Sequence, residues 1–269
     1  MEIKSKIKII LLSFLLFSTS LIFYSVSFYG KAKIYFFDVG QGDSILIQNE
    51  KNTQILIDGG PSKKVLEKLG DVMPFYDRTL ELVILTHPDK DHLFGIVEVL
   101  KRYNVEKIIF PDIQDNSAGY QEFLKLVQAK NIPIIFPNGQ ERIIFSGGYL
   151  DILYPLKNFQ NQKLKNTNDA SIITRLVFKN QSFLLTGDAD QKIEKNLIKN
   201  NLYLSSNILK VGHHGSKNST SDIFLQAVSP QEAVISVGKN SYGHPHQEIL
   251  NKLENIIIKR TDQDGDVLY

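Results

Sequence analysis

Apolar and polar positions divide the chain into two regimes. From Ile9 to about Phe28 the run is apolar, interrupted only by Ser, Thr and Tyr. From residue 32 onward, short apolar runs alternate with amphipathic stretches and with breaks rich in Gly, Asn and Asp. The apolar runs predict strands at 32–38, 44–48, 54–58, 81–86, 107–110, 132–136, 142–146, 149–154, 171–178, 182–186, 208–211, 233–237 and 256–260. Helical periodicity predicts helices at 62–69, 93–103, 120–130, 191–199, 221–228 and 247–255. In the second of these, Leu93, Ile96, Val97 and Leu100 share one face. Residues 40–43 (Gly-Gln-Gly-Asp) break the first strand, 157–168 form a polar loop, and Asp264-Gly265 marks a last turn. Hairpins alternating with strand–helix units imply an α/β (α+β) protein of mixed sheets covered by helices, not a pure doubly wound sheet. No Gly/Ser- or Pro-rich linker follows residue 31, so 31–269 read as one domain behind an N-terminal segment, 1–30.

That segment carries Lys4, Lys6 and Lys8 ahead of the apolar run. A run of about 20 residues is enough for one membrane-spanning helix. Tyr24, Phe28 and Tyr29 at its far end suit a membrane interface. The rival is a cleaved signal peptide, with Ser25-Val26-Ser27 as a small-x-small pattern, but the length of the run favours an uncleaved anchor. The lysines place the N-terminus inside and the domain outside the cytoplasm, while Lys31 and Lys33 on the far flank oppose that orientation. The expectation is a single-pass protein of the cell membrane with an extracytoplasmic domain, secretion being the alternative.

Composition changes this picture little. The 269 residues are 42% hydrophobic and 22% charged, as in an ordinary globular protein. The absence of cysteine excludes disulfides, thiolate metal sites and cysteine nucleophiles. Net charge is +2, and without Lys4, Lys6, Lys8 and Glu2 the two signs balance. Charge alone therefore gives no case for a nucleic-acid partner.

The histidines do change it. They fall in three places: His87 with His92, the pair His213-His214, and His244 with His246. The first pair brackets the hexapeptide His87-Pro88-Asp89-Lys90-Asp91-His92, which by itself could be a solvated polar turn. In an extended segment His87 and Asp89 point to the same side. A helix beginning after His92 would let Asp91 and His92 face a second point nearby. Three apolar strands end in ligand-type residues, leading into His87, Asp188 and His213, and sites in α/β sheets collect beyond the carboxyl ends of strands. Parallel placement of these ends would gather His87, Asp89, Asp91, His92, Asp188 and one of His213 and His214. Imidazoles and carboxylates without thiolate suit two Zn²⁺ or Mn²⁺ ions. Such a pair would activate a water and clamp the oxygens of a phosphoryl or acyl centre.

His87-x-Asp89-x-Asp91-His92 resembles the His-x-His-x-Asp-His signature of the metallo-β-lactamase fold superfamily. More narrowly, residues 37–44 (Phe-Asp-Val-Gly-Gln-Gly-Asp-Ser), 56–60 (Leu-Ile-Asp-Gly-Gly), 185–188 (Leu-Thr-Gly-Asp), 209–216 (Leu-Lys-Val-Gly-His-His-Gly-Ser), 242–246 (Tyr-Gly-His-Pro-His) and 260–265 (Arg-Thr-Asp-Gln-Asp-Gly) are similar, in order, to the C-terminal hydrolase domain of ComEC-family competence proteins. The resemblance covers about residues 33–265. It implies a four-layer αβ/βα sandwich of two mixed β-sheets and a two-metal hydrolase of phosphodiesters, with DNA the proposed substrate. By position it implies His87 and Asp89 on one metal, Asp91 and His92 on the other, Asp188 between them, and His213 or His214 on the second. Asp89 replaces a histidine of the broader signature, which tilts that site toward Mn²⁺. The family's further first-site histidine has no counterpart in the matching stretch 168–171 (Asn-Asp-Ala-Ser), so either Asn168 or Asp169 substitutes or that site is weak or empty.

The resemblance also makes Asp38 and Asp43 candidates to support the ligands. Asp58 is a candidate to orient a ligand histidine. His244 or His246 could serve as general acid or phosphate donor, with Asp91 and Asp188 as the carboxylates of catalysis. Ser216, Lys217 and Tyr242 could touch a phosphate oxygen, whereas Asp262 and Asp264 read as turn residues. The functional expectation is a membrane-anchored phosphodiesterase or nuclease linked to DNA uptake. One candidate span cannot form a DNA channel, so transport would need a separate channel partner. Two alternatives stand beside it: hydrolysis of a small phosphodiester or ester on the same fold, and a non-catalytic DNA-uptake scaffold with a vestigial metal site.

Overall fold

The computed structural model describes residues 2–28, 32–51, 53–139 and 141–269, with side chains of the first helix described over 5–21. Two seven-stranded sheets form its centre. The first runs in the order Val267–Leu268, Lys33–Phe36, Ile45–Gln48, Gln54–Ile57, Leu82–Ile84, Ile108–Ile109, Ile134–Ile135. The second runs Arg142–Phe145, Gly148–Tyr154, Ile173–Phe178, Gln181–Leu185, Ile208–Lys210, Glu232–Ile235, Ile257–Arg260. In each, an antiparallel half joins a parallel half. Pairing is antiparallel as far as Gln54–Ile57 in the first sheet and Gln181–Leu185 in the second, and parallel beyond. Both sheets are therefore mixed, as the alternation of hairpins and strand–helix units predicts.

Side-chain alternation explains the four layers. Ile34, Phe36, Ile45, Ile47, Ile55 and Ile57 face the second sheet, where they meet Leu150, Leu176, Phe183, Leu185 and Val234. Their neighbours Tyr35, Phe37, Leu46 and Leu56 point the other way, onto α2 (Lys64–Val72), α3 (Lys90–Arg102) and α4 (Ala118–Ala129). On the outer face of the second sheet, Leu184 and Leu209 pack with α5 (Gln191–Lys199) and α6 (Asp222–Val228), and Ala233 and Ile235 with α7 (Gln247–Lys252). A strand buried on both faces needs apolar residues at every position, which is why these segments read as continuous runs.

Three expectations change. Helix α3 begins at Lys90, with Asp89 at its N-cap, so Asp91 and His92 sit inside its first turn and not ahead of it. The C-terminus adds a strand, Val267–Leu268, that pairs with Lys33–Phe36 and is too short to show a period. The turn at 264–265 is the end of a short helix, α8 (Thr261–Asp264), where Asp262 and Asp264 bind Arg260 as local partners.

The first helix, α1 (Glu2–Phe28), precedes the sandwich. Its described side chains are exposed, apart from half-buried Ser18. Among the described residues no helix is long and apolar enough to cross a membrane. The anchor is thus not carried by the structure: only part of the apolar run is described at side-chain level, and Tyr24, Phe28, Tyr29, Lys31, the 25–27 cleavage pattern and the 30/31 boundary lie outside the described side chains.

Candidate metal centre

The carboxyl ends of parallel strands from both sheets open at one edge of the sandwich. From the first sheet come Asp58, after Gln54–Ile57, and the hexapeptide, after Leu82–Ile84; from the second come Asp188, His213-His214 and Ser236. The glycine-rich breaks hold the hexapeptide there. Asp43 N–H donates to Asp91 O (3.3 Å), Gly59 N–H to His92 O (2.8 Å) and Gly95 N–H to Gly60 O (3.0 Å). The approach is so close that a Cβ at Gly42 would lie 2.2 Å from Asp91 O, and one at Gly95 would lie 1.8 Å from Gly59 O. Backbone contact accounts for Gly42 and Gly59, whereas Gly40, with φ +88° and open space around it, is required by the turn.

Inside this frame Asp91, His92, Asp188 and His214 offer four donor atoms within 4.8 Å of one another. His92 Nε2 lies 3.3 Å from Asp188 Oδ1. His214 Nε2 is 3.4 Å from Asp188 Oδ2 and 3.3 Å from Asp91 Oδ2. His87 and Asp89 stand beside this group and not within it: His87 Nε2 is 3.8 Å from Asp89 Oδ2 and 3.9 Å from Asp188 Oδ2. Thr167 donates to Asp89 from the opposite wall. A second cluster, Asp43, Asp58 and His92, lies behind the first.

The hydrogen bonds fix which ring nitrogen faces inward. Ser236 O can only accept, so His214 donates from Nδ1 (2.8 Å). Asp58 Oδ2 accepts from His92 Nδ1 (2.8 Å) and from Thr86 Oγ1 (2.7 Å). With its proton committed to Asp58, Thr86 Oγ1 accepts from His87 Nδ1 (3.0 Å). All three Nε2 atoms therefore point to the centre. There they and Asp188 Oδ1 are buried without a hydrogen-bond partner. Buried polar atoms are ordinarily satisfied, so four orphans at one point describe a site built for a cation, and the donors fit Zn²⁺ or Mn²⁺.

Electrostatics agree. Burial alone would lower His92 and His214, but the Asp188 charge and their hydrogen bonds hold both imidazoles well above the usual histidine range. Burial would raise Asp188, yet His214 and His92 hold it well below the usual carboxylate range. Asp91 is lowered in the same way, against burial, by His214 and His92. His87 goes the other way: burial, with the His92 charge added, pushes it down to about 4. Burial raises Asp89.

The other expected residues divide. Asp58 holds His92 through the Nδ1 hydrogen bond. Asp43 supports the centre by another route, paired with the fully buried Lys210, its Oδ1 3.5 Å from His214 Nδ1. Asp38 is not at the centre; it accepts from Gly40 N–H (3.1 Å) and pairs with Lys64 (2.8 Å). Of the pair, His214 lies in the four-residue cluster, and His213 stands beside it with Nε2 3.7 Å from Asp188 Oδ2. Asn168 puts its amide 3.4 Å from His213 Nδ1, while Asp169 pairs with Lys192 at 2.8 Å. His244 meets His213 edge-on with ring centroids 5.4 Å apart, His246 lies 5.1 Å from His244, and exposed Tyr242 lies 5.7 Å from His244. Burial and the neighbouring histidines push His244 down to about 4. Ser216 is buried and Lys217 exposed at the end of the same turn.

Sequence reasoning missed Thr86, Ser236, Thr167 and, above all, Lys210. Lys210 donates to Gly187 O at 2.9 Å and lies 3.9 Å from Asp188 Oδ1. Its signal was available: a lysine inside the apolar run 208–211, where a central strand has no solvent to offer it.

Comparison with known proteins places this centre in context. Residues 37–239 match the metallo-beta-lactamase superfamily. The chain is 30% identical over 252 residues to ComE operon protein 3 of Bacillus subtilis (strain 168), covering 86% of this chain and 32% of that protein. It is 32% identical over 249 residues to Competence protein ComA of Neisseria gonorrhoeae, covering 89% and 32%. The chain thus spans about a third of the length of the curated relatives it matches. Among solved structures, the metallo-beta-lactamase fold protein YhfI from Bacillus subtilis aligns with a TM-score of 0.58 at 14% identity, covering 89% of this chain and 99% of that one. At that identity the likeness is one of fold.

Against the effect of burial, the Asp188 charge raises His92 and His214 above the usual histidine range, so a metal competes with protons for their Nε2 atoms. Adding Zn²⁺ near neutral pH should release protons, read with an indicator in weak buffer. Apparent affinity should rise with pH above the ordinary histidine value, as the free protein sheds those protons. Uptake without proton release would contradict the assignment.

Proposed function

We infer, from the fact that the chain belongs to the metallo-β-lactamase superfamily and from the donor set above, that it is a metal-dependent hydrolase acting on phosphodiesters, with DNA as its substrate. One observation carries the reading: the partnerless Nε2 atoms of His87, His92 and His214 converge with Asp188 Oδ1 in a buried, cysteine-free pocket. When bound, divalent ions there supply an activated water and neutralise charge on a phosphoryl group. The chain's own residues do the rest. Asp58 and Ser236 lock His92 and His214 in the tautomers that leave Nε2 free. Lys210, through Gly187 O and Asp43, keeps Asp188 and its strand end in place. His244, neutral at pH 7, offers a ring N–H to a leaving oxygen and takes the phosphate-donor role, not that of a strong acid.

The similarity to two competence proteins supports DNA as substrate. So does a shallow groove beside the hexapeptide where Lys90 and Phe94 offer a cation and an aromatic edge to a nucleic-acid strand, next to Glu67 and to Lys63 and Lys64, which pair with Glu98 and Asp38. A small phosphodiester is the second reading, favoured by a different feature. A cleft of about 660 Å³ next to Asp89 and Asp91 has an apolar floor (Leu93, Phe94, Val97) and an acidic rim (Asp115, Glu122). That cleft would repel a polyanion and accept a compact neutral or cationic group. The scaffold alternative leaves the buried unpaired ligand atoms without a purpose.

The apolar run 9–28 extends the reading to location: it would hold the domain at a membrane, extracytoplasmic, beside a separate channel protein. The sequence supports this part, and the described helix does not add to it. Alkaline carbonate should leave the full chain in the membrane pellet; release to the supernatant would remove the anchor.

Asp188→Ala should lower Mn²⁺- or Zn²⁺-dependent cleavage at least about 10³-fold, equivalent to several kcal/mol of lost transition-state stabilisation. The assay compares single-stranded DNA, double-stranded DNA and bis-p-nitrophenyl phosphate. Cleavage of the small ester alone would favour the second reading, and full activity in Asp188→Ala would contradict both.

A further inference from the structure

Building on the two-metal reading above, we infer that His213 supplies the imidazole that the first metal site lacks at residue 168, so that the adjacent histidines serve different metals. Two adjacent residues of an extended chain point to opposite sides, and one of them would face away from Asp188. Here both residues are left-handed, with φ +48° at His213 and +54° at His214, between Gly212 and Gly215. Non-glycine residues seldom adopt that conformation, and two in succession make a tight turn that aims both rings at one carboxylate. His214 Nε2 reaches Asp188 Oδ2 at 3.4 Å on the side of Asp91. His213 Nε2 reaches the same oxygen at 3.7 Å, as does His87 Nε2 at 3.9 Å. His87, Asp89, Asp188 and His213 are thereby assigned to a first site, more open than the cluster of Asp91, His92, Asp188 and His214, whose donor atoms lie within 4.8 Å of one another.

Asn168 acquires a role in the same stroke. Its carboxamide is buried and stands 3.4 Å from His213 Nδ1, the nitrogen that faces away from Asp188, while its Oδ1 is without a partner. Amide orientation is a matter of hydrogen-bond logic. With Oδ1 turned to the ring, it accepts the Nδ1 proton and leaves the lone pair on Nε2 for a cation. Asn168 is then a positioning residue for His213, not a ligand.

Metal content of the full chain reconstituted with Mn²⁺ tests this, with electron paramagnetic resonance as the second readout. His213→Gly removes the ring and suits the left-handed backbone, so the fold is kept; circular dichroism verifies it. The wild type should hold about two ions per chain with a spin-coupled signal. His213→Gly should hold about one, with the signal of an isolated ion, and Asn168→Ala should still hold two, the first more weakly. Two coupled ions in His213→Gly, none in His213→Gly, loss of an ion in Asn168→Ala, or a single ion in the wild type would overturn the assignment. No ion in the wild type would instead refute the metal-centre reading on which it rests.

Discussion

A carboxylate buried at the junction of two sheets cannot remain there uncompensated, and the structure is arranged around that constraint. Asp188 is 2% exposed, and its charge is met by His92 from the first sheet and His214 from the second. Burying an ion without a partner costs several kcal/mol, so whatever neutralises Asp188 also ties the sheets together. The two imidazoles, both raised above the usual histidine range by that charge against the effect of burial, do this in the structure. A divalent ion held there would take over that charge. The cluster that ties the sheets together is thus the one whose donor atoms lie close enough to hold a cation.

This constraint gives the outlying motifs their meaning. The glycine-rich breaks press backbone against the first turn of α3, which fixes where Asp91 and His92 start. Asp58, Thr86 and Ser236 each occupy an Nδ1, and through it decide the direction of an Nε2. Lys210 spends a position in a central strand on holding Asp43 and Gly187 O. None of these groups needs to touch a substrate to matter.

Much of this was legible in the chain. Runs such as 45–48 and 54–57 could only be strands buried on both faces, and hairpins between strand–helix units could only give mixed sheets. The hexapeptide, Asp188 and the histidine pair announced imidazole–carboxylate chemistry by residue type. What stayed hidden depended on backbone conformation. The pair 213–214 looked like alternatives because an extended strand exit allows one of them inward; its consecutive left-handed residues carry no periodic signal. The start of α3 was placed late because Lys90, Asp91 and His92 are polar and fall outside the apolar face. Asp38 looked equivalent to Asp43 by motif, but lies across the turn from the centre and pairs with Lys64. Lys210 was overlooked because a single charge hardly alters a hydrophobic run.

The central claim is that Asp91, His92, Asp188 and His214 form a cation site spanning both sheets. Anomalous diffraction from crystals grown with Zn²⁺ or Mn²⁺, collected at the metal's absorption edge, tests it most directly. The account predicts a peak enclosed by those four side chains. A peak confined to the Asp43, Asp58 and His92 cluster, or none between the four residues at saturating metal, would contradict it.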